Sequence, residues 1–593
     1  MELVIKETKT GTKYDREKLR PQEPQFKIKD GTLVRCELNG CTTVTIPAEV
    51  KTIGKECFAG TDVQEVTLPE GIENIESKAF LDCNRLRKIN FPEGLQTIKD
   101  RSFMNCSSLT KVMLPETLTE LGDYAFYSAG IEQLILPDLK NVLSAGINVF
   151  GTIKVKDINI PKGFRLSKAM FAACQQLRSV SFEADWMTIP ENCFYYCTNL
   201  AEIDISKALF IKEAAFHKCH SLSVSVIPSY TCVSACAFME TGVEDVTIED
   251  ISKIEERTFS ECTSLKRLTI NIPDGAAAGL TCSIPKKLAA YCTSLQTVTF
   301  TGHPENLLGI EAAAFRDTTR LTEISLPNNI QKIERYAFCN SGIKLMHLPE
   351  NLKQIGTGAF ASSNIKNVVI PDKVTSLGEE VFDSCYELTD VTFPESVTAI
   401  PKRTFINCYK LKTVNVSDIT VVGNDAFCNC EKLTAFDFSQ VKEFGTMSFA
   451  STGICKAVFS NKLTKLQSSV FCDCENLQSV DMSACDKIKT ISANCFGGCS
   501  RLKDIKLPPN IYELNDGCFI SVKFDRLEVK AGMRINLHAF SEAVINELEF
   551  DDDADNFIKT VVGKYAFENA KVGRLIIPDH MYGRFKNAIS KIK

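Results

Sequence analysis

Cysteine is the residue type whose number and spacing in this sequence most directly suggest chemistry. The chain of 593 residues contains 26 cysteines, and protein thiols act as nucleophiles, metal ligands or disulfide partners. Only one run, His217-Lys-Cys219-His220, combines cysteine with histidine in the manner of a metal site. Twelve cysteines instead recur in a segment Cys-x-x-Leu, namely Cys83, Cys106, Cys174, Cys197, Cys219, Cys262, Cys292, Cys385, Cys408, Cys430, Cys474 and Cys499.

The regular spacing of these cysteines favours a structural role. Equivalent side chains in successive repeats point in the same direction, which is a poor geometry for the twist that a disulfide bridge needs. We therefore predict thiols that pack inward as small apolar groups. If Cys219 points inward, it is not a ligand, and we predict no metal site. So many unpaired thiols are typical of a reducing compartment.

The cysteines are positioned by a repeat of about 22 residues, a period that indicates a solenoid of stacked coils. In the unit that begins at Phe80, Cys83 lies at +3, Leu86 at +6, Ile89 at +9 and Pro92 at +12. The repeat occurs 23 times, with anchors at Phe58, Phe80, Phe103, Phe126, Phe150, Phe171, Phe194, Phe216, Phe238, Phe259, Ala289, Phe315, Phe338, Phe360, Phe382, Phe405, Phe427, Phe449, Phe471, Phe496, Phe519, Phe540 and Phe567.

The repeat has a long and a short form, which differ in the turn after the anchor. The long form has Cys at +3, or Thr at position 318, whereas the other ten units lack this cysteine and are one residue shorter. Because Gly and Asn tolerate positive φ, we expect a tight positive-φ bend at the small or polar residues of the short turn, which include Asp62, Gly130, Gly242, Gly342 and Asn364.

One short strand is predicted after each turn, because apolar and polar residues alternate there. Proline often follows and would close the strand, since it cannot donate to a ladder. The remaining segment, with apolar residues at +15 and +18, is predicted to return as an irregular or short helical stretch. The fold class is therefore a repeat solenoid with one short parallel strand in each of about 23 coils of 22–23 residues.

The exposed strand positions are the candidate partner-binding face, because curved arrays bind partners across such faces. These positions are polar, mixed in charge and poor in the aromatic residues that dominate interface energetics. They select no particular ligand. The candidate residues are Lys88, Asn90, Lys111, Met113, Asp157, Asn159, Glu202, Asp204, Arg267, Thr269, Glu323, Asp390, Thr392, Asn415 and Asp481.

The ends and one interruption set the predicted domain organisation. A polar tail (1–25) precedes an N-terminal cap (26–57), in which Asp30-Gly31 suggests a hairpin turn. The first part of the array (58–270) is followed by irregular coils with an insertion (271–314) and by the second part (315–575). In the last segment (576–593), Met581, Phe585, Ile589 and Ile592 have the spacing of an amphipathic capping helix. A smaller acidic insertion lies at 551–555.

Charge and hydropathy narrow the possible partners and location. The net charge of −6, without a Lys/Arg-rich run, argues against nucleic acid, whose binding requires neutralisation of phosphates. No stretch approaches the roughly 18 apolar residues of a membrane span. The first residues lack the apolar core of a signal peptide, so we predict a cytoplasmic monomer, with the cell surface or secretion as the alternative.

The pattern Cys-x-x-Leu-x-x-Ile-x-Ile-Pro followed by Ala-Phe, as at Cys83–Pro92 and Cys408–Val416, resembles the BspA-type leucine-rich repeats, also called the Treponema pallidum type. The resemblance covers about residues 26–580. It implies a curved, right-handed leucine-rich-repeat array. Members are often surface-exposed and credited with adhesion to host proteins, and the family defines no catalytic residues.

Together, these observations predict a non-enzymatic scaffold that binds a protein partner through the strand-lined face. A cell-surface adhesin is the alternative function, and a structural spacer is a third hypothesis. We predict no catalytic residues and no cofactor, because the sequence contains no nucleophile–base pair and no phosphate loop. This prediction rejects the hypothesis that residues 271–311 contain an enzyme active site.

Overall fold

The computed structural model of the chain describes residues 23–138, 143–274, 281–344, 347–556 and 559–592. These residues form two compact units, which divide between Ser223 and Val224. The predicted polar tail (1–25) lies almost entirely outside the described residues. The domain boundaries drawn from the sequence at residues 57, 270, 314 and 575 stay predictions.

The first unit begins with an antiparallel hairpin and continues with pairs of short strands. The hairpin is formed by β1 (Gln25–Lys29) and β2 (Thr32–Glu37) around the expected turn. The strands that follow are β3 (Thr43–Thr45), β4 (Thr52–Ile53), β5 (Glu65–Thr67), β6 (Asn74–Ile75), β7 (Lys88–Ile89), β8 (Thr97–Ile98), β9 (Lys111–Met113), β10 (Glu120–Leu121), β11 (Gln133–Ile135), β12 (Ser144–Ala145), β13 (Asp157–Ile160), β14 (Ser179–Phe182), β15 (Met187–Ile189), β16 (Glu202–Ile203) and β17 (Ala208–Ile211).

The second unit repeats this arrangement and ends in a helix. Its strands are β18 (Val226–Ile227), β19 (Cys232–Val233), β20 (Asp245–Ile248), β21 (Arg267–Ile272), β22 (Cys282–Ile284), β23 (Thr297–Gly302), β24 (Leu307–Ile310), β25 (Lys332–Ile333), β26 (Gln354–Ile355), β27 (Asn367–Val369), β28 (Ser376–Leu377), β29 (Asp390–Thr392), β30 (Ala399–Ile400), β31 (Thr413–Asn415), β32 (Val421–Val422), β33 (Glu443–Phe444), β34 (Lys456–Val458), β35 (Lys465–Leu466), β36 (Ser479–Asp481), β37 (Thr490–Ile491), β38 (Asp504–Lys506), β39 (Glu513–Leu514), β40 (Lys523–Val529), β41 (Arg534–Ile535), β42 (Val544–Phe550), β43 (Val561–Val562) and β44 (Lys571–Ile576). Short 3-10 turns lie at Ile251–Lys253 and Pro304–Asn306, and helix α1 spans Asp579–Ile589.

The strands form two sets of parallel ladders, which confirms the predicted stacked-coil solenoid. We call the strands that follow each anchor turn the face strands. In the first unit they form the sheets β3-β5-β7, β9-β11 and β13-β14-β16. In the second they form β18-β20-β21-β23, β27-β29-β31, β34-β36-β38 and β40-β42-β44. The strands on the return path pair among themselves, with Ile53 opposite Ile75 and Ile75 opposite Ile98.

These return strands are a feature that the sequence analysis did not anticipate. In a return strand such as Thr97–Ile98, a half-buried residue is followed by a buried one. The apolar residue at +18 faces the core, so the chain needs only an extended dipeptide to bury it and pair with its neighbours. The return therefore has short strands where an irregular or helical path was expected.

The core of each coil is built on its anchor. The anchor phenylalanines are fully buried, and neighbouring rings stack nearly parallel, with centroids 4.9 Å apart for Phe58–Phe80 and 5.7 Å for Phe338–Phe360. The backbone at the anchor forms a further ladder, in which the amide of Phe80 donates to the carbonyl of Ser102 in the next coil at 2.8 Å. Each coil with a phenylalanine anchor thus contributes both an apolar ring and a hydrogen bond to its neighbour.

The expectation of positive φ at the short-turn glycines is wrong. Left-handed residues occur two positions before and two after the anchor, as at Lys78 (φ 60°) and Asp82 (φ 59°), whereas Gly130 and Gly342 have no positive φ. A Cβ at Gly130 would overlap the carbonyl oxygen of Ser107, and one at Gly342 would overlap that of Thr319. Glycine is required there because the shorter turn brings its backbone against the preceding coil.

Helix α1 lies at the end of the second unit, where the spacing of its apolar residues predicted a helix. Met581 and Phe585 are buried, Ile589 and Ile592 are half-buried, and the Phe585 ring lies 5.6 Å from that of Phe550. In the described part of the chain, no helix is long and apolar enough to cross a membrane.

Candidate functional site

The twelve cysteines at +3 are structural. All twelve are fully buried, and each Sγ donates to the carbonyl of the preceding anchor at 2.9–3.2 Å. Burial raises the pKa of Cys219 to about 12 and that of Cys474 to about 11. Because the thiolate is the reactive form, Cys219 and Cys474 are poor nucleophiles. All twelve thiols serve as hydrogen-bond donors that join neighbouring coils.

The one histidine–cysteine run does not converge on a ligand. Cys219 donates inward to the carbonyl of Phe194 at 3.1 Å. The ring of His217 packs edge-on against Tyr195, with centroids 5.3 Å apart, and His220 is exposed. The Cys219 thiol therefore lies in the core, whereas the His217 ring packs against Tyr195 and His220 lies at the surface, so the three groups do not meet at one point.

Asp552 and Asp553 of the acidic insertion at 551–555 form a cluster with His580 of α1 that has the geometry of metal ligands. Asp553 is fully buried and accepts hydrogen bonds from His580 Nε2 at 2.9 Å, Arg584 at 2.6 Å and the Thr560 amide at 2.8 Å. Burial acts to raise the pKa of Asp553, but the Arg584 and His580 hydrogen bonds hold it well below its usual range. The carboxylate is thus satisfied by protein groups, and it ties α1 to the last coils.

The predicted face residues of the first unit lie in two rows. Strand register aligns Asp157 with Ser179 and Glu202. Some members form hydrogen bonds within the protein. The side chain of Asn90 accepts from the amide of Leu68 at 2.7 Å and donates to its carbonyl at 3.0 Å, which extends the two-residue β7. Asp157 accepts from Ser179 (2.6 Å), Asn159 pairs with Glu183 and Ser181, and Asp204 caps the amide of Ser206 (2.8 Å).

Four exposed members of this face have no hydrogen bond or ion pair with another side chain among the described residues: Lys88, Lys111, Met113 and Glu202. Met113 is 58% exposed. It lies beside Ile135, which is 46% exposed, because β9 and β11 align the two residues in register. Sequence reasoning missed Ile135 because it belongs to a short coil, where the exposed position is +9 instead of +10. The two side chains form an apolar pair in an otherwise polar row.

The face residues of the second unit are more strongly paired. Arg267 bonds to Asp245, Asp390 accepts from Thr389 and Thr413, and Asp481 accepts from Ser483 and Lys506. Hydrogen bonds from Ser483 and then Lys506 lower the pKa of Asp481 to about 2. Thr269 and Thr392 are half-buried, whereas Asn415 and Glu323 are exposed. Val369, at +9 of a short coil, is 68% exposed and was likewise missed.

The face ladder of the second unit is interrupted after β23. Within the residues that the structure describes, the coil anchored at Phe315 has no face strand of two or more residues; residues 345–346 of the next coil lie outside the described part, and β27 is the next face strand. The insertion near residues 271–311 lengthens β21 and β23 to six residues each and adds the turn Pro304–Asn306. Residues 275–280 of the insertion lie outside the described part.

This interruption opens a groove. The β23 groove has a volume of 650 Å³ and is lined by residues 297–300, 304–305 and 323–329. A second cavity of 880 Å³ continues from Asn328 to residues 347–350 and 367–373, where Val369 lies. Of the residues proposed from the sequence, Glu323 is the one that the structure places in the β23 groove.

Comparisons with known proteins give the family but no ligand. Six overlapping matches to the model of the BspA-type leucine-rich repeat region cover residues 27–151, 144–266, 188–308, 308–434, 420–546 and 476–591. No curated protein matches the chain. Among solved structures, it is similar to a leucine-rich repeat protein from Bacteroides ovatus (17% identity, covering 93% of this chain and 97% of that one, TM-score 0.22). It is also similar to the pneumococcal vaccine antigen PcpA (18% identity, covering 74% and 91%, TM-score 0.25). Because the family model extends over residues 27–591 without a gap, this chain belongs to the BspA-type leucine-rich repeat family.

Proposed function

We propose that this chain is a scaffold that binds another protein through its face strands, by contact and not by catalysis. The observation that carries the proposal is the exposed pair Met113–Ile135, which lies in register on neighbouring strands. Exposed apolar side chains surrounded by polar ones are typical of binding surfaces. Lys111, alongside in β9, adds a charged rim.

A photo-crosslinking experiment tests this proposal. A benzophenone amino acid replaces Ile135 in one sample and the exposed Asp82, in an anchor turn, in the other. We expect the Ile135 position to give discrete adducts with a partner protein and the Asp82 position to give none. The substitution Met113→Asp should abolish the adducts without changing the melting temperature. Identical adduct patterns from the two positions would contradict the proposal.

We further propose that the protein acts as a monomer in a reducing compartment. The proposed compartment rests on the 26 cysteines, none of which forms a disulfide among the described residues and twelve of which would lose their donor role on oxidation. Thiol counting checks it: protein isolated with an alkylating agent present should release close to 26 free thiols on denaturation. Cell fractionation that found the protein only on the cell exterior would contradict the proposed compartment and favour the surface alternative.

A further inference from the structure

We propose that the β23 groove binds an extended, basic peptide segment of a partner protein, which adds as a strand to the edge of β23 that faces away from β21. This inference rests on the proposed function of the face strands and gives the chemistry of the partner at one place on them. Three features of the groove support it: its backbone, its size and its charge.

The first feature is a row of backbone groups directed into the groove. In a parallel ladder, alternate residues of a strand pair with the neighbour on one side and the residues between them with the other. The amides of Thr297 and His303 donate to the β21 side, to the carbonyls of Lys266 and Ile272 at 3.3 and 3.0 Å. Val298 and Phe300 therefore present their N–H and C=O groups on the opposite side.

That opposite edge is unpaired. Among the described residues, no backbone hydrogen bond joins β23 to residues 321–327 of the next coil. Such bonds do form where β34 is followed by β36, as from the amide of Phe459 to the carbonyl of Asp481 at 2.9 Å. A strand edge with unsatisfied groups is a template for another strand.

The second feature is the size of the groove. The part of β23 that lines it, Thr297–Phe300, spans about 13 Å at the usual rise of an extended chain. The groove volume of 650 Å³ lies within the range of pockets that enclose ligands. Pro304 and Pro327 form parts of its walls, and proline offers no amide with which the protein itself could close the edge.

The third feature is the charge of the lining. Its charged side chains are Glu305 and Glu323, and neither Lys nor Arg lines the groove among the described residues. Glu305 Oε1 lies 3.0 Å from His303 Nδ1. Glu323 is exposed and has no ion-pair partner in the described part of the chain. A lysine or arginine of a bound segment would form an ion pair with Glu323, so charge complementarity favours a basic segment.

Peptide binding to the purified full chain tests the inference. The probe is a fluorescein-labelled octapeptide of alternating lysine and valine, measured by fluorescence anisotropy. Its two companions are the same peptide with alternate amides N-methylated, and a glutamate–valine peptide. We expect saturable binding of the first peptide, at least about tenfold weaker binding after N-methylation, and no binding of the acidic peptide.

Two protein variants locate the site. Glu323→Lys should weaken the binding of the lysine–valine peptide about tenfold, equivalent to about 1.4 kcal/mol. Glu475→Lys makes the same charge change at an exposed position outside the groove and should leave affinity unchanged. Equal effects of the two variants, equal binding of the N-methylated peptide, or no saturable binding would each overturn the inference. None of these results involves Met113 or Ile135, so the proposed function would stand or fall on the crosslinking experiment alone.

Discussion

The coils anchored at Phe315 and Phe427, both in the second unit, lack a face strand among the described residues, and these two interruptions are built differently. After β23 the ladder stops and a groove opens, lined by polar and proline residues together with Val298, Phe300, Ile324 and Leu326. After β31 the coil anchored at Phe427 also has no face strand, but Phe436 and Phe438 fill the space. The Phe438 ring lies 5.3 Å from both Phe449 and Phe459 and 5.8 Å from Phe471.

The comparison shows that the loss of a strand does not by itself make a binding site. A coil can lose its ladder hydrogen bonds and remain closed if large side chains take the volume, because ring packing replaces the lost contacts. At the β23 groove, the equivalent positions hold Ile324 and Leu326, whose smaller side chains leave part of that volume open. Side-chain size at the interruption therefore separates a stability element from a candidate site.

The largest effect is expected at the filled interruption. Phe438→Ala removes a buried ring from the aromatic cluster and should lower the free energy of unfolding by about 3–5 kcal/mol. Urea denaturation followed by circular dichroism measures this. Val458→Ala, at a neighbouring exposed strand position, is the control and should change stability by less than about 0.5 kcal/mol. A similar small loss for both variants would mean that the rings do not hold this region closed.

The end of the second unit is held by a polar network around Asp553. Its loss should lower the free energy of unfolding by less than the loss of the Phe438 ring. Asp553→Asn removes the buried charge shared by Arg584 and His580, and we expect a loss of about 2 kcal/mol, since both partners are partly exposed. Because the folded pKa of Asp553 is lowered, its contribution is complete above the unfolded value of about 4 and is lost as pH falls through the folded pKa. Melting curves of both proteins should therefore converge in acid. A gap that widened below pH 4 would be inconsistent with this network.

Two equivalent glycines compare the rigidity of the two regions. A methyl group at Gly453, near the filled interruption, would overlap the carbonyl of Glu431, and one at Gly342, near the groove, would overlap that of Thr319. Alanine at either site should destabilise by about 1–3 kcal/mol. We expect Gly453→Ala to cost about 1 kcal/mol more, because the packed rings limit the shift of its coil. Thermal unfolding of the pair checks this, and a larger loss for Gly342→Ala would reverse the comparison.

The smallest effect on stability is expected for filling the groove. Ser325→Phe places a large ring in the lining of the open groove. Its site is exposed, so the free energy of unfolding should change by less than about 0.5 kcal/mol. Binding of the lysine–valine peptide should nevertheless be lost, as anisotropy would show. Undiminished binding to this variant would place the peptide elsewhere.

The sequence predicted those features that recur with the repeat. The period located every anchor, and the Cys-x-x-Leu segments indicated inward thiols, because a side chain at a fixed place in each coil has a fixed environment. The reason for Gly342 was missed, since it depends on the distance to the preceding coil. Ile135 was missed because the short turn shifts the exposed position by one residue.

The groove could not be found from local sequence. The segment Thr322-Glu323-Ile324-Ser325 has the same alternation as segments that form face strands. Whether it pairs with β23 depends on its packing against the preceding coils, where β23 has six residues and is followed by the turn Pro304–Asn306. The insertion was recognised in the sequence, but its consequence for the ladder depends on packing between coils.

Hydrogen exchange at both interruptions in a single sample tests the central claim most directly. β23 and β31 each end a stretch of face ladder; β23 borders the β23 groove, whereas Phe436 and Phe438 follow β31. With the lysine–valine peptide added to the full chain, amide exchange should slow at Val298 and Phe300 and stay unchanged across Thr413–Asn415. Equal protection of the two strands, or none at either, would contradict the account.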